Sequence, residues 1–110
     1  MNLDLSWNDA LCVDGTCDSA DAETLLAAIT PLIPSNIDLL ELHLYGLDLD
    51  SGSATVAWHA VVRQLRDRHG RVILLEAPQM LAHSLYKVGD LSDGRIQLVQ
   101  PRSDEGFTVN

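Results

Sequence analysis

The sequence predicts a single small α/β domain with a mixed sheet of four or five strands and helices packed mainly on one face, in the order β-β-α-β-α-β-α-β. Residues 37–45 alternate apolar and polar side chains with period two, which is typical of a strand. Residues 54–65 then place apolar side chains at helical spacing. A chain of 110 residues is long enough for one hydrophobic core and too short for two.

The N-terminal part predicts two short strands and a helix. Residues 3–7 and, less cleanly, 11–14 alternate in polarity around a turn, as in a hairpin. Asp18 or Ser19 is predicted to cap the first helix, because both residue types accept hydrogen bonds from free backbone N–H groups. Prolines end this helix by about residue 33.

A second helix is predicted over residues 52–69. Trp58 lies on its apolar stripe with Val61 and Leu65, so we expect the indole ring in the core. Gly70 is predicted to end the helix, since glycine readily adopts the backbone conformation that closes helices.

The last third predicts a strand at residues 71–76, a helix beginning at Pro78 and a strand at residues 96–99. The buried stripe of this third helix is predicted to comprise Leu81, Leu85 and Val88. Residues 101–110 are polar, and we expect a flexible tail at the end of one domain that spans residues 1–110.

The charges are unevenly distributed along the chain. The net charge is −9, and residues 1–62 hold ten of the sixteen carboxylates and no lysine or arginine before Arg63. Nucleic-acid binding is therefore not expected, because neutralising phosphates needs a basic stripe. An acidic surface instead favours a protein partner with a basic face.

Neither a metal nor a cofactor is expected. Cys12 and Cys17 lack the companion ligands of a zinc site, and we expect buried or half-buried free thiols. The four histidines form no pair at ligand spacing on a predicted helix. Apolar runs are too short to cross a bilayer, and the N-terminus is acidic, so the chain is expected in the cytoplasm without direct membrane insertion.

The segment Asp48-Leu49-Asp50-Ser51-Gly52-Ser53 joins the predicted third strand to the second helix. A serine hydroxyl placed there can act simply as an N-cap. The chain has no Gly-x-Ser-x-Gly frame around Ser51, no fixed histidine base and no glycine-rich phosphate loop, so no catalytic residue is predicted.

The surrounding chain resembles the STAS domain of bacterial anti-sigma-factor antagonists over about residues 3–100. Gly15-Thr16-Cys17-Asp18 stands where that family has a Gly-Glu-Leu-Asp-like turn, and Asp50-Ser51-Gly52-Ser53 resembles its phosphorylatable Asp-Ser pair. Segments 70–78 and 88–91 resemble the next strand with its helix start and the close of the third helix.

The resemblance implies a non-enzymatic regulatory module that switches protein partners when Ser51 is phosphorylated, with an anti-sigma factor kinase as partner. The implied partner-binding residues are Asp18, Asp48, Asp50, Ser51, Gly52 and Ser53. An alternative is a constitutive STAS subunit that binds the ATPase of an Mla-type phospholipid transporter, with Asp50-Ser51-Gly52 as the interface. A scaffold near chemosensory proteins is a third reading.

Overall fold

The computed structural model describes residues 2–17, 21–89, 91–92 and 94–99. The chain forms a five-stranded mixed sheet with three α-helices, which confirms the α/β class. The elements are β1 (Asn2–Trp7), β2 (Leu11–Cys17), α1 (Ala22–Ile29), a 3-10 turn (Thr30–Leu32), β3 (Leu39–Leu49), α2 (Gly52–His69), β4 (Arg71–Leu75), α3 (Gln79–Lys87) and β5 (Ile96–Val99).

The strands lie in sequence order across the sheet. β1 pairs antiparallel with β2, and every later pair is parallel. Each parallel connection contains one helix. Such crossovers are right-handed, and each of these connects a strand to the next strand in the same direction across the sheet. They therefore place the helices on the same face of the sheet. Burial agrees, since Leu40 and Leu42 of β3 are fully buried whereas their neighbours Leu39 and His43 are exposed.

Trp58 is the largest side chain of the core. It is 0% exposed on α2, with Val61 and Leu65 on the same buried stripe, which confirms its predicted position. Its indole Nε1–H is buried and has no hydrogen-bond partner in the part of the chain that the structure describes. An N–H group removed from water without a partner costs free energy, so packing must hold the ring in place.

A β-bulge changes the phase of β3. Cys12 pairs with His43 while Asp14 pairs with Gly46, so Val13 alone faces two residues of β3. The bulge lets Leu47 and Leu49 point into the core after Leu44, although strict alternation would place them outside. Gly46 leaves room there for the side chain of Asp14, because a Cβ at this position would lie 2.7 Å from the Asp14 Cγ.

β3, which contains the bulge, ends later than predicted, at Leu49 and not at residue 45. β3 pairs with β4 only as far as His43, opposite Leu75, but it pairs with β2 as far as Leu49, opposite Cys17. Residues 44–49 therefore extend past the end of β4, by roughly 20 Å at about 3.3 Å per residue. We call the end of the sheet formed by residues 14–17 of β2 and 46–49 of β3 the projecting end.

The cap of α1 differs from the prediction. Asp21, not Asp18 or Ser19, is the N-cap, and its carboxylate accepts a hydrogen bond from the backbone N–H of Thr24 at 2.8 Å. Asp18 and Ser19 lie outside the described residues. The error arose because the cluster Asp18-Ser19-Ala20-Asp21 offers three cap-forming side chains, and only the backbone path decides which one is used.

The Asp21 cap predicts a pH-dependent contribution to stability. Hydrogen bonds from Thr24, chiefly from its backbone N–H, lower the pKa of Asp21 below its usual 3.8. A carboxyl with a lower pKa in the folded state stabilises the fold above its unfolded pKa, and this contribution is lost as the pH falls through the folded pKa. Asp21→Ala should therefore lower the free energy of unfolding at pH 7, with a deficit that shrinks below pH 3.8.

Urea unfolding followed by circular dichroism between pH 7 and pH 2 measures this difference. Asp21→Asn is the matched control, because it keeps an acceptor oxygen but cannot titrate. A deficit of Asp21→Ala that stays constant across the acid range would show that the carboxylate charge contributes nothing.

The C-terminal elements agree with the prediction except at three places, the first being that Pro78 is the N-cap of α3 and not its first residue. Gly70, with φ of 91°, ends α2, and β5 occupies Ile96–Val99 as expected. Val88 was predicted to be buried but is 60% exposed, because α3 ends at Lys87 and Val88 is its C-cap, outside the buried stripe of the helix. β4 ends at Leu75, so Glu76 is not part of it. The predicted tail at residues 101–110 lies outside the described residues.

Neither cysteine forms a disulfide, and Cys12 is half-buried and Cys17 buried, as predicted. Within the described ranges, no helix combines the length and the apolar character that crossing a bilayer requires.

Candidate functional site

Ser51 is the N-cap of α2, in an extended backbone conformation. Its Oγ accepts a hydrogen bond from the backbone N–H of Ala54 at 3.1 Å. Its carbonyl oxygen accepts from both the backbone N–H and the side-chain hydroxyl of Thr55, each at 3.2 Å. The sequence predicted Ser51 at this helix start, and these bonds fix its position tightly.

Thr55 is a supporting residue that sequence reasoning did not single out. It is 7% exposed, and its hydroxyl holds the backbone of Ser51 from one helical turn away. The signal was present in the sequence, because residues at i and i+4 lie one above the other on a helix. Thr55 therefore positions Ser51 without reaching the surface.

The surface beside Ser51 is small and polar. Ser53 Oγ lies 3.2 Å from Ser51 Oγ. Gly52 is exposed, and a Cβ at this position would meet no atom of the described residues within 4 Å. Ser51 itself is half-buried. Within the described part of the chain, the start of α2 therefore leaves open space at Gly52, between the two serines in sequence.

Two carboxylates flank the hydroxyls. Asp48 is the second-to-last residue of β3, and Asp50 follows directly after the strand. Both side chains are exposed. The backbone N–H of Asp50 donates to the carbonyl oxygen of Cys17 at 3.0 Å, which ties this junction to the end of β2. The structure thus places Asp48 in the projecting end and Asp50, Ser51, Gly52 and Ser53 directly after it in the chain, whereas Asp18 lies outside the described residues.

The charge of this end comes from carboxylates. Asp21 and Glu23 lie at the start of α1, which is the next element after β2 in the chain. The first turn of α2 itself carries no acidic residue, so the carboxylates nearest in sequence to the positive end of its dipole are those of Asp48 and Asp50, which precede the helix. Among the described residues of the projecting end and the two helix starts, none is a lysine or arginine. The result is an acidic rim around a short neutral patch.

Glu76 is a strained residue that the sequence did not reveal. It follows β4 with a φ of 57°, a left-handed conformation that is uncommon without glycine. Its backbone N–H donates to the carbonyl oxygen of Val99 at 2.8 Å, and this hydrogen bond helps to hold Glu76 in the left-handed conformation. Because β4 ends level with His43, Glu76 does not share the projecting end with Ser51.

A second missed feature is a polar contact between helices. His59 of α2 is 9% exposed, and its Nδ1 lies 2.7 Å from the Oγ of Ser84 on α3. The two residues are 25 positions apart, so no local pattern could have predicted the pair. Such a bond fixes α3 against α2 without entering the Ser51 surface.

No protein-family model matches the chain, and comparisons with curated proteins and with solved structures likewise find no match. The fold and the site by themselves define the class of the chain, which is an α/β domain with a helix-capping serine beside an acidic, projecting end of the sheet.

Proposed function

We propose that the chain is a non-enzymatic protein-binding module that resembles anti-sigma-factor antagonists of the STAS family, with partner switching controlled by phosphorylation of Ser51. The observation that carries the proposal is the position of the Ser51 hydroxyl. It caps α2 beside open space at an exposed, acidic end of the sheet. The partner is a protein, with an anti-sigma factor kinase as the first candidate, and the module acts in the cytoplasm.

The projecting end suits docking because β3 continues there past the end of β4. Residues 44–49 of β3 have no pairing with β4 on one side, while on the other side β3 pairs with β2, which is itself still paired with β1. The carboxylates of Asp48 and Asp50 favour approach of a basic protein surface by long-range attraction. Gly52 and the serines let the partner backbone come close, since their side chains are small.

A phosphate on Ser51 would act locally. The modification adds close to two negative charges at the N-terminus of α2, where backbone N–H groups and the dipole tolerate an anion. The fold therefore stays intact. Beside Asp50 and inside a close protein contact, the same charge repels partner carboxylates and costs desolvation, so the partner leaves.

A second candidate is a constitutive STAS subunit that binds the ATPase of an Mla-type phospholipid transporter. The observation that favours it is that the Ser51 Oγ is already engaged, by the N–H of Ala54 and by Ser53. A hydroxyl held in this way can serve as a fixed interface contact without modification. Under this function, Asp50-Ser51-Gly52 is a permanent contact surface.

The experiment that separates the two is affinity capture from the native host, followed by mass spectrometry of both the partner and residue Ser51. Capture of a kinase-type partner, with phosphate on Ser51 in a fraction of the chain, supports the switch. Capture of a transporter ATPase with Ser51 unmodified supports the constitutive subunit. Equal recovery of the captured protein with a Ser51→Asp variant contradicts both.

Gly52→Ala should separate folding from binding at the projecting end. A Cβ at residue 52 meets no atom in the part of the chain that the structure describes, and alanine favours helix by up to about 1 kcal/mol over glycine. We therefore expect the free energy of unfolding to be unchanged or higher. Binding to the captured partner should weaken by about tenfold, because a methyl group intrudes into a close contact.

Calorimetry measures the affinity and urea titration the stability. Gly89→Ala is the matched control, because a Cβ at Gly89 would likewise meet no described atom within 4 Å and Gly89 lies outside the projecting end. Its φ of 80°, however, disfavours alanine. This control should lose stability and keep its affinity. A Gly52→Ala variant that binds like the parent chain would remove Gly52 from the interface.

A further inference from the structure

A cavity of about 310 Å³ lies at the other end of α2 from Ser51. Its walls are the segment that follows α1 and the last turns of α2, and it is lined by Thr30, Ile33, Ser35, Leu65, Arg68 and His69. Arg68 follows Ser51 by 17 positions, which places it about 25 Å along the helix axis at 1.5 Å per residue. The cavity is therefore separate from the projecting end.

The floor of the cavity is apolar. Leu65 is 1% exposed and Ile33 is 9% exposed, and both belong to the hydrophobic core. The volume is at the lower end of the range of small-molecule pockets, roughly 300–1,000 Å³. The cavity thus offers a ligand a short apolar contact and room for only a few heavy atoms beyond its polar group.

The rim of the cavity is polar and held in place. The Arg68 guanidinium donates through one nitrogen to the hydroxyl of Thr30 at 3.1 Å, which restrains the side chain and leaves further N–H groups for a ligand. His69 donates from Nδ1 to the carbonyl oxygen of Ile37 at 2.9 Å, since a carbonyl can only accept. Its remaining polar ring atom is Nε2, and Ser35 adds an exposed hydroxyl.

The charges around the cavity select the ligand. Arg68 presents a guanidinium, which matches the geometry of a carboxylate. Asp67, which precedes Arg68 in the sequence, is engaged by Arg66 at 3.1 Å and lies 4.0 Å from Arg95. The net charge of −9 disfavours multiply charged anions, so a single negative charge fits better than a phosphate.

We propose that this cavity binds small monocarboxylic acids with a short apolar body, whose carboxylate pairs with Arg68 while the body contacts Leu65 and Ile33. The proposal goes beyond the function assigned to Ser51 and does not depend on it. No covalent step is involved.

The test is a titration of the full chain with hexanoate and with phenylacetate, followed by amide shifts in two-dimensional NMR. We expect saturable shifts at the amides of Leu65 and His69, with a dissociation constant of about 1 mM for ligands of this size. Hexanamide, which is neutral, should bind about tenfold more weakly because it lacks the charge-assisted pair. The two acids distinguish an aliphatic from an aromatic body.

Arg68→Met should weaken hexanoate binding by about tenfold or more, whereas Arg68→Lys should keep part of the affinity. Arg71→Met is the matched control, because Arg71 is an exposed arginine at the start of β4 that does not line the cavity. It removes the same charge and should change the affinity by less than about twofold. Melting temperatures of all variants show whether loss of the Thr30 contact disturbs the fold.

Several results would overturn the proposal. One is the absence of saturable shifts with either acid, and another is equal weakening by Arg68→Met and Arg71→Met. Inorganic phosphate that shifts the same amides as strongly as hexanoate would contradict the apolar contact. A rise in melting temperature with hexanoate that survives in Arg68→Met would contradict the carboxylate pair.

Discussion

Trp58→Ala should lower the free energy of unfolding by about 3–5 kcal/mol, the range for large-to-small changes in a core. The ring is 0% exposed, and its removal leaves a cavity between α2 and the sheet. Because small domains are stable by only about 5–15 kcal/mol, this single change is expected to bring the chain close to unfolding. A urea titration followed by circular dichroism measures the loss.

Two further variants make this result interpretable even if Trp58→Ala does not fold. Trp58→Phe keeps an aromatic ring and removes the buried Nε1–H, which has no partner among the described residues, so it should cost less than about 2 kcal/mol. Val56→Ala on the same helix is the control, because Val56 is 68% exposed and its truncation should stay within about 0.5 kcal/mol. A loss below about 1 kcal/mol for Trp58→Ala would show that the ring is not part of a packed core.

Ser51→Asp should weaken binding of the captured partner by about tenfold or more while the fold remains intact. The substituted carboxylate can still cap α2, since aspartate is as good an N-cap as serine. It adds a negative charge next to Asp50, in the open space that faces the partner. Calorimetry gives the affinity, and circular dichroism confirms the fold.

Ser51→Ala distinguishes the two candidate functions. It removes the cap of α2 at a cost of about 1 kcal/mol, which the domain can tolerate. Under the switch, binding is retained; under the constitutive subunit, binding is damaged because the hydroxyl is a contact. Ser6→Asp, an exposed serine on β1, carries the same charge change away from α2 and should leave binding unaltered. Full affinity of Ser51→Asp would exclude the switch.

The bounds of α2 could be predicted because each signal was local. Ser51 caps the helix, an apolar stripe continues to Leu65, and Gly70 ends it, so Gly52–His69 agrees with the sequence prediction. The same signals placed Ser51 correctly. The burial of Trp58 also followed from its spacing on that stripe.

The length of β3 could not be predicted in the same way. Gly46 and the bulge opposite Val13 interrupt the period-two pattern, so this pattern predicts that the strand ends at Tyr45. The projecting end depends on how far β3 pairs with each neighbour, and such registers are set by long-range packing between segments distant in sequence. The exposure of the candidate site was therefore visible only in the structure.

The measurement that tests the central claim most directly compares the chain phosphorylated at Ser51 with the unmodified chain, both purified from the native host and titrated with the captured partner. The switch predicts that phosphate is found on Ser51 and that the phosphorylated form binds at least about tenfold more weakly, with an unchanged circular dichroism spectrum. Equal affinities of the two forms, or a Ser51 that is never phosphorylated while the partner is bound and released, would contradict it.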